Sequence, residues 1–275
     1  MKHQANQAIG IFDSGIGGLT VANAISKHLP DEELIYFGDT ANMPYGDKSK
    51  DLIKSYALQI TDFLLNVKKC KAIVIACNTA SAAAYEYLRD VNKGITPIIN
   101  VIDPIVEAVV NDNDIHKIGL IATKTTVEAG VYQEKLARRR PDLAQASMAT
   151  PLLAKMIEEG FYNDNISHAV IEKYLNEPIL EGIDALILGC THYVLIKDEI
   201  NTFYDYKVKL FDSTDIVALK LKGILEKENL LNDKRENENI FYISDITENF
   251  KESAKMFYGE NINLELYKIW DKPEN

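Results

Sequence analysis

Short apolar segments alternate along the chain with longer stretches in which apolar and polar residues recur at the spacing of an α-helix. The apolar segments are four to six residues long and are bounded by Gly, Asp or Pro. This pattern is typical of buried parallel strands joined by crossover helices. The predicted strands lie at residues 8–12, 33–37, 72–76, 97–102, 117–122, 185–189 and 207–211. The sequence therefore predicts an α/β fold.

Amphipathic stretches between these segments predict the helices that cover mostly parallel sheets. They lie at residues 19–28, 49–67, 80–90, 104–111, 126–139 and 167–175. Residues 239–270 read as a further strand, helix and strand. The pattern alone allows this last segment to pack on either half of the molecule.

Two parts of the chain resemble each other. The strand and the polar residues around Cys77 align with those around Cys190, 113 positions later, and the segment at Ile9 aligns with that at Ile118, 109 positions later. Buried strands often look alike by chance, but two matches at nearly one offset favour a duplicated unit. We therefore predict two similar lobes related by a pseudo-twofold axis, with the active site between them.

Composition and charge narrow the possible functions. The chain has 275 residues, 47% of them hydrophobic and 26% charged, so a disordered chain is excluded. A net charge of −11 repels phosphate backbones and anionic lipids, so neither nucleic acid nor a membrane is expected as a partner. The three cysteines, the lack of an export signal and the scattered histidines favour a cytoplasmic protein without a metal site.

Two cysteines are the strongest candidates for chemistry. Cys77 and Cys190 each follow a predicted strand, at the edge where open α/β sheets bind ligands. A free cysteine is commonly a core residue, but each of these precedes polar residues, which apolar packing does not require. If the lobes face each other, one thiolate removes a proton from a tetrahedral carbon while the opposite thiol delivers one.

A glycine-rich loop, residues 13–18, follows the first strand and begins with Asp13 and Ser14. It matches a dinucleotide fingerprint only loosely, so no nucleotide cofactor is predicted. A simple turn explains the glycines. The acidic residue at the strand end instead favours a role for Asp13 in orienting or deprotonating an amino group or a thiol.

The other candidates each have a structural alternative. The segment Pro44, Tyr45 and Gly46 is either a turn or a wall of the cleft; Thr123 is either a helix N-cap or a hydroxyl donor to a carboxylate. His192, two residues after Cys190, is a structural histidine or a partner of the thiol. By pattern alone, Glu158 and Glu159 are a solvated pair.

These residues together closely resemble the glutamate racemase family, within the cofactor-independent aspartate/glutamate racemase superfamily. The resemblance extends over nearly the whole chain and is carried by residues 9–21, 37–46, 76–82, 189–196 and 243–254. The chain departs from the family pattern at Asn42, Lys155 and Val194, where the family usually has Arg, Pro and Pro.

The resemblance implies what the chain does and which residues do it. It implies interconversion of L- and D-glutamate without any cofactor, supplying D-glutamate for peptidoglycan and thus for the cell wall and cell shape, and a homodimer. It implies one lobe formed by residues 1–100 and 214–275 and a second formed by 101–213. The implied catalytic residues are Cys77, Cys190, Asp13, His192 and Glu158. The implied substrate-binding residues are Asp13, Ser14, Pro44, Tyr45, Gly46, Asn78, Thr79, Thr123, Thr191 and His192.

Two other classes of protein remain open from the residues alone. One is a thiol hydrolase or lyase with a single nucleophilic cysteine and His192 as its base. The other is a noncatalytic, two-lobed protein that binds carboxylates.

Overall fold

The secondary structure alternates between strands and helices along almost the whole chain. The structure is a computed structural model that describes residues 3–270, apart from the side chains of Glu248 and Asn249. The strands are β1 (Ile9–Asp13), β2 (Leu34–Gly38), β3 (Ala72–Ile75), β4 (Ile98–Asn100), β5 (Lys117–Ala122), β6 (Ala144–Ala149), β7 (Ala185–Gly189), β8 (Lys209–Phe211), β9 (Ile240–Ile243) and β10 (Leu264–Leu266).

The helices cover the sheets. They are α1 (Leu19–His28), α2 (Lys50–Asp62), α3 (Asn78–Asn92), α4 (Ile102–Val110), α5 (Lys124–Ala129), α6 (Val131–Arg139), α7 (Pro151–Glu158), α8 (Asn165–Leu175), α9 (Lys197–Phe203), α10 (Thr214–Lys227) and α11 (Glu248–Tyr258). A π-helical segment, Phe63–Val67, continues α2, and short 3₁₀ segments include Tyr45–Asp47 and Thr191–Ile196. None of the helices in the described part of the chain has the length and hydrophobicity needed to cross a membrane.

Two parallel sheets confirm the predicted α/β class. The first sheet has the order β10-β9-β2-β1-β3-β4 and the second has the order β6-β5-β7-β8. Their central strands are fully buried on both faces, as in other parallel sheets covered by helices. One apolar core includes buried residues of both sheets, so the two halves pack against each other rather than standing apart.

The order of the strands supports a duplication. The four strands β2-β1-β3-β4 occur in the same spatial order as β6-β5-β7-β8. The register agrees as well, because Ile9 pairs with Ala72 in the first sheet and Ile118 with Ala185 in the second. Cys77 and Cys190 therefore follow equivalent strands, β3 and β7.

The predicted elements differ from the structure in several places: α7, α9 and α10 were not predicted, and residue 102 of the predicted strand at 97–102 begins α4. The helix predicted at 126–139 is broken into α5 and α6, because Gly130 has a left-handed φ of 67° that ends the first helix. The strand β6 was missed, since its sequence has no β-branched or aromatic residue that would mark a strand.

The C-terminal segment adds strands to the first sheet. β9 pairs in parallel with β2, and β10 pairs with β9. α11 packs on α1, so this segment also contacts the helix that begins beside the glycine-rich loop. The C-terminal segment therefore forms the edge of the first sheet next to β2.

Candidate active site

One cavity of about 240 Å³ lies where the carboxyl ends of β3 and β7 approach each other. Its walls include nearly all the residues predicted for the site: Ser14, Pro44, Tyr45, Gly46, Cys77, Asn78, Thr79, Thr123, Glu158, Cys190, Thr191 and His192. Of the described residues predicted for the site, only Asp13 is absent from these walls. The volume is below the roughly 300–1,000 Å³ typical of drug-sized ligands, so the cavity suits a small molecule.

Cys77 is held as a neutral thiol at the start of α3. Its Sγ accepts a hydrogen bond from the backbone N–H of Ala80 at 3.4 Å and donates one to Ser14 Oγ at 3.6 Å. Burial, helped by the negative charge of Asp13, raises the pKa of the Cys77 thiol to about 12, even though the hydrogen bond from Ala80 favours the thiolate. A proton is therefore available at Cys77 at neutral pH.

Cys190 lies beside an imidazole. Its Sγ is 3.5 Å from His192 Nδ1, and His192 Nε2 is 2.8 Å from the Glu158 carboxylate. Burial disfavours the imidazolium, but the Cys190 thiolate and Glu158 outweigh it and raise the pKa of His192 well above its usual value. His192 thus lies between the sulfur of Cys190 and the carboxylate of Glu158, where its protonated form is favoured.

Asp13 lies behind the cavity wall rather than in it. Its side chain is 1% exposed, and its Oδ1 accepts a hydrogen bond from the backbone N–H of Gly15 at 2.8 Å. Burial raises the pKa of Asp13, against the attraction of His192 and the hydrogen bonds from Gly15 and Gly18. Asp13 is therefore close enough for its charge to act on both Cys77 and His192.

The glycine-rich loop also contacts the opposite half of the molecule. A Cβ atom on Gly17 would lie 2.4 Å from the ring of His192 and 2.6 Å from Thr191 Oγ1. Only glycine allows so close an approach. The ring of Phe257 on α11 packs edge-on against His192, with 5.2 Å between the centroids. His192 is therefore fixed from several sides.

The loop of Pro44, Tyr45 and Gly46 forms a wall on the side of the first sheet. The Tyr45 hydroxyl donates to Asp39 Oδ2 at 2.6 Å, and Asp39 is fully buried. On the other side, Thr125 Oγ1 donates to the Gly46 carbonyl at 2.6 Å. The loop is thus anchored beneath the cavity and also bonded to α5 of the second half.

Hydroxyl and amide groups at helix starts provide donors to the cavity. Cys77 caps α3, so the first free N–H groups of that helix lie at Asn78 and Thr79. Thr123 caps α5, as the structural alternative predicted, and also lines the cavity; its hydroxyl shares a hydrogen bond of 2.9 Å with that of Thr79. A helix N-terminus with free N–H groups favours an anion such as a carboxylate.

Sequence reasoning missed part of the wall. Asp47, Thr150, Pro151 and Ala154 also line the cavity. Thr150 and Pro151 follow β6, and because that strand was not predicted, its end could not be placed at the site. The available signal was Thr followed by Pro, which is typical of the start of a helix.

Comparison of the sequence and the fold with known proteins shows which family the chain resembles. The sequence profile of the Asp/Glu/Hydantoin racemase family matches residues 19–221. A glutamate racemase of Neisseria meningitidis is 41% identical over 255 residues, which cover 92% of this chain and 93% of that protein. The crystal structure of glutamate racemase from Francisella tularensis in complex with D-glutamate is 38% identical, with a TM-score of 0.89 over 97% of this chain and 99% of that one. That of Thermus thermophilus, in complex with β-chloro-D-alanine, is 36% identical, with a TM-score of 0.85 over 96% of this chain and 98% of that chain.

The fold and these relatives define an isomerase of the amino-acid racemase class. The chain belongs to the Asp/Glu/hydantoin racemase family, and within that family it belongs with the glutamate racemases.

Proposed function

We propose that the protein interconverts L- and D-glutamate by moving protons between two cysteines and the α-carbon, without a cofactor. The observation that carries the proposal is that Cys77 and Cys190 line one small cavity from equivalent strand ends. A single-nucleophile hydrolase has no use for a second thiol in that position. Relatives named as glutamate racemases support glutamate as the substrate.

The reaction balances with the groups present. One thiolate removes the α-proton, so that the Cα–H bond breaks and an S–H bond forms. The electron pair left on the α-carbon then takes the proton of the opposite thiol, whose S–H bond breaks on the other face. We assign Cys190 as the base, because its sulfur lies 3.5 Å from His192, and Cys77 as the acid, because burial raises the pKa of its thiol. Racemisation in the other direction requires Cys77 as the thiolate and Cys190 as the protonated thiol.

Each thiol has its own assistant. We propose that His192 serves Cys190 and that Asp13 serves Cys77. Because the negative charge of Asp13 opposes ionisation of Cys77, a thiolate at Cys77 is favoured when Asp13 is neutral, and burial raises the pKa of Asp13 in that direction. Glu158 acts on Cys190 through His192 and is therefore a positioning residue.

The remaining wall residues hold the substrate. Removing a proton beside a carboxylate requires strong stabilisation of the developing negative charge. The N-termini of α3 and α5 and the hydroxyls of Thr79 and Thr123 provide donors for that charge, and the amide of Asn78 provides a donor for substrate binding. Thr191, Ser14 and the loop of Tyr45 complete a cavity that excludes most water, which strengthens these interactions. Closure of the two halves around the substrate is an expected step.

The cellular setting and the organisation into lobes are parts of the same proposal. We propose that the product D-glutamate supplies peptidoglycan, and thereby cell-wall formation and cell shape, in the cytoplasm. Three free, buried cysteines, Cys70, Cys77 and Cys190, fit a reducing compartment. The lobe of residues 1–100 and 214–275 is supported by the pairing of β9 with β2, and that of 101–213 by the second sheet. A homodimer remains a prediction, which sedimentation of the purified protein would test.

A test of the proposed reaction uses heavy water. Pure L-glutamate incubated with the protein in D₂O should lose its optical activity and gain one deuterium at the α-carbon. Intact optical rotation without label would contradict the proposal. Rotation lost without deuterium would exclude exchange through solvent-equilibrated thiols, and release of ammonia or a hydrolysis product would favour the single-cysteine alternative.

A further inference from the structure

Asn78 has one end of its side-chain amide bonded and the other end free. The residue is 2% exposed, begins α3 and lines the cavity beside Cys77. Its Oδ1 accepts a hydrogen bond of 2.7 Å from the hydroxyl of Tyr132. Its Nδ2 has no hydrogen-bond partner within the described residues. A buried, unpaired N–H donor is costly, so its place at a ligand cavity is informative.

The partner of Asn78 comes from the opposite half of the molecule. Tyr132 lies on α6, is 1% exposed and belongs to the apolar core that packs on the second sheet. Burial, with smaller contributions from the charges of Asp103 and Cys190, raises the pKa of Tyr132 well above its usual value. The phenol therefore stays protonated at any pH at which the protein works.

A buried hydroxyl that keeps its proton must donate it to an acceptor. For Tyr132 that acceptor is Asn78 Oδ1. The two ends of a carboxamide have opposite polarity, and rotating the group by 180° would exchange them. Donation to Oδ1 prevents this exchange and leaves the NH₂ group as the end without a partner among the described residues.

We propose that Tyr132 is a positioning residue that holds the Asn78 amide with its NH₂ group toward the cavity, so that the site selects a carboxylate of the substrate. This inference rests on the proposed function, since the carboxylate belongs to glutamate. Neither Tyr132 nor Asn78 exchanges a proton with the substrate, so the contribution is to binding. It is the same for both enantiomers, because the two share their carboxylates.

Removing only the Tyr132 hydroxyl tests the proposal. In Tyr132→Phe the amide is free to rotate and present an oxygen to the carboxylate, so KM should rise about tenfold for both enantiomers while kcat changes less than about threefold. A purely structural role would instead lower the melting temperature and the active fraction, which reduces kcat and leaves KM unchanged. An unchanged KM would overturn the inference.

A double-mutant cycle gives the matched control. In the Asn78→Ala background there is no amide to orient, so adding Tyr132→Phe should change KM less than about twofold. Full additivity of the two substitutions would contradict the proposed coupling.

A second variant tests the orientation without altering Tyr132. In Asn78→Asp the Tyr132 hydroxyl still binds one oxygen, and the other oxygen then faces the substrate carboxylate. KM should therefore rise further than in Asn78→Ala, by at least about threefold at pH 8. Equal KM values in the two variants would contradict the inference.

The reaction of the unchanged protein in D₂O distinguishes failure of the proposed function from failure of this inference. If the unchanged protein does not racemise glutamate, the proposed function is wrong. If it does, and Tyr132→Phe has a normal KM, only the role of Tyr132 is wrong.

Discussion

The ends of β3 and β7 differ more than the strands themselves. After β3 the chain enters a 15-residue α-helix, and Cys77 caps it by accepting the N–H of Ala80. After β7 it enters a short 3₁₀ segment, and Cys190 makes no capping bond but lies against His192. Equivalent positions in a duplicated unit thus carry one thiol held neutral and one thiol next to an imidazolium.

The difference shows that two equivalent strands can place their cysteines in different surroundings. The sheets fix where the two sulfur atoms lie, since order and register are the same in both. The residues that follow each strand determine the surroundings of each sulfur atom. In the proposed reaction the roles of the two thiols reverse between the two directions, and the variants below test each side separately.

The largest effect is expected from removing either thiol of the pair. Cys77→Ser and Cys190→Ser should each lower kcat for racemisation by roughly 10³-fold or more. A hydroxyl is a far weaker acid than a thiol, so at neutral pH it neither donates a proton readily nor forms the anion that would remove one. Polarimetry with each enantiomer measures the loss.

The third cysteine is the matched control. Cys70 is fully buried in the first sheet's core and does not line the cavity, and burial raises the pKa of its thiol to about 12. Cys70→Ala should lower stability without lowering kcat more than about twofold. Near-normal racemisation by Cys77→Ser or Cys190→Ser alone would exclude the two-thiol reaction.

A smaller effect, different for the two enantiomers, is expected when the residues that assist the two thiols are replaced. His192→Asn and Asp13→Asn should each slow proton abstraction by roughly 10²-fold, and they should do so for opposite enantiomers, because His192 lies at Cys190 and Asp13 at Cys77. Initial rates of deuterium uptake into L- and D-glutamate report the two directions. Equal slowing of both directions by both variants would remove the proposed division of labour.

Glu158→Gln should act through the pKa of His192. The Glu158 carboxylate, 2.8 Å from Nε2, helps to raise that pKa, so a neutral glutamine lowers it and the imidazolium is lost at a lower pH. The alkaline limb of kcat/KM should therefore move to lower pH, with about a tenfold loss at pH 8. The stability from the ion pair is present below the ordinary histidine pKa and is lost as pH rises through the raised one. An unmoved alkaline limb would show that Glu158 does not act through His192.

Much of the fold followed from local pattern. The segments at 72–76 and 185–189 were identifiable as buried strands because apolar residues run without interruption and end at polar ones. β6 was not, since alanine, glutamine and serine carry no such signal, and its pairing with β5 is decided by the surrounding sheet. The break at Gly130 likewise depends on a backbone angle that a helical pattern does not encode.

The sequence pattern predicted site residues only where a reactive side chain directly follows a predicted strand. Cys77 and Cys190 were found in this way, and their symmetry followed from comparing the chain with itself. Glu158 was found only through the family resemblance: its neighbours in sequence are those of a solvated helix, and the fold brings its carboxylate to His192. Tyr132 gave no signal, because its role depends on a contact with Asn78 over 54 positions.

The smallest expected effect concerns the support of the Cys77 side by the C-terminal segment. Ser244, just after β9, donates to Asp39 Oδ1 at 2.8 Å, and the other carboxylate oxygen of Asp39 holds the hydroxyl of Tyr45. Ser244→Ala should lower the free energy of unfolding by about 1.5 kcal/mol, typical of a hydrogen bond to a charged group, and raise KM about twofold because the Tyr45 wall is less restrained. Ser253→Ala, an equally buried serine on α11, is the control and should leave KM unchanged. If Ser244→Ala loses stability with no change in KM, the segment supports the fold but not the site.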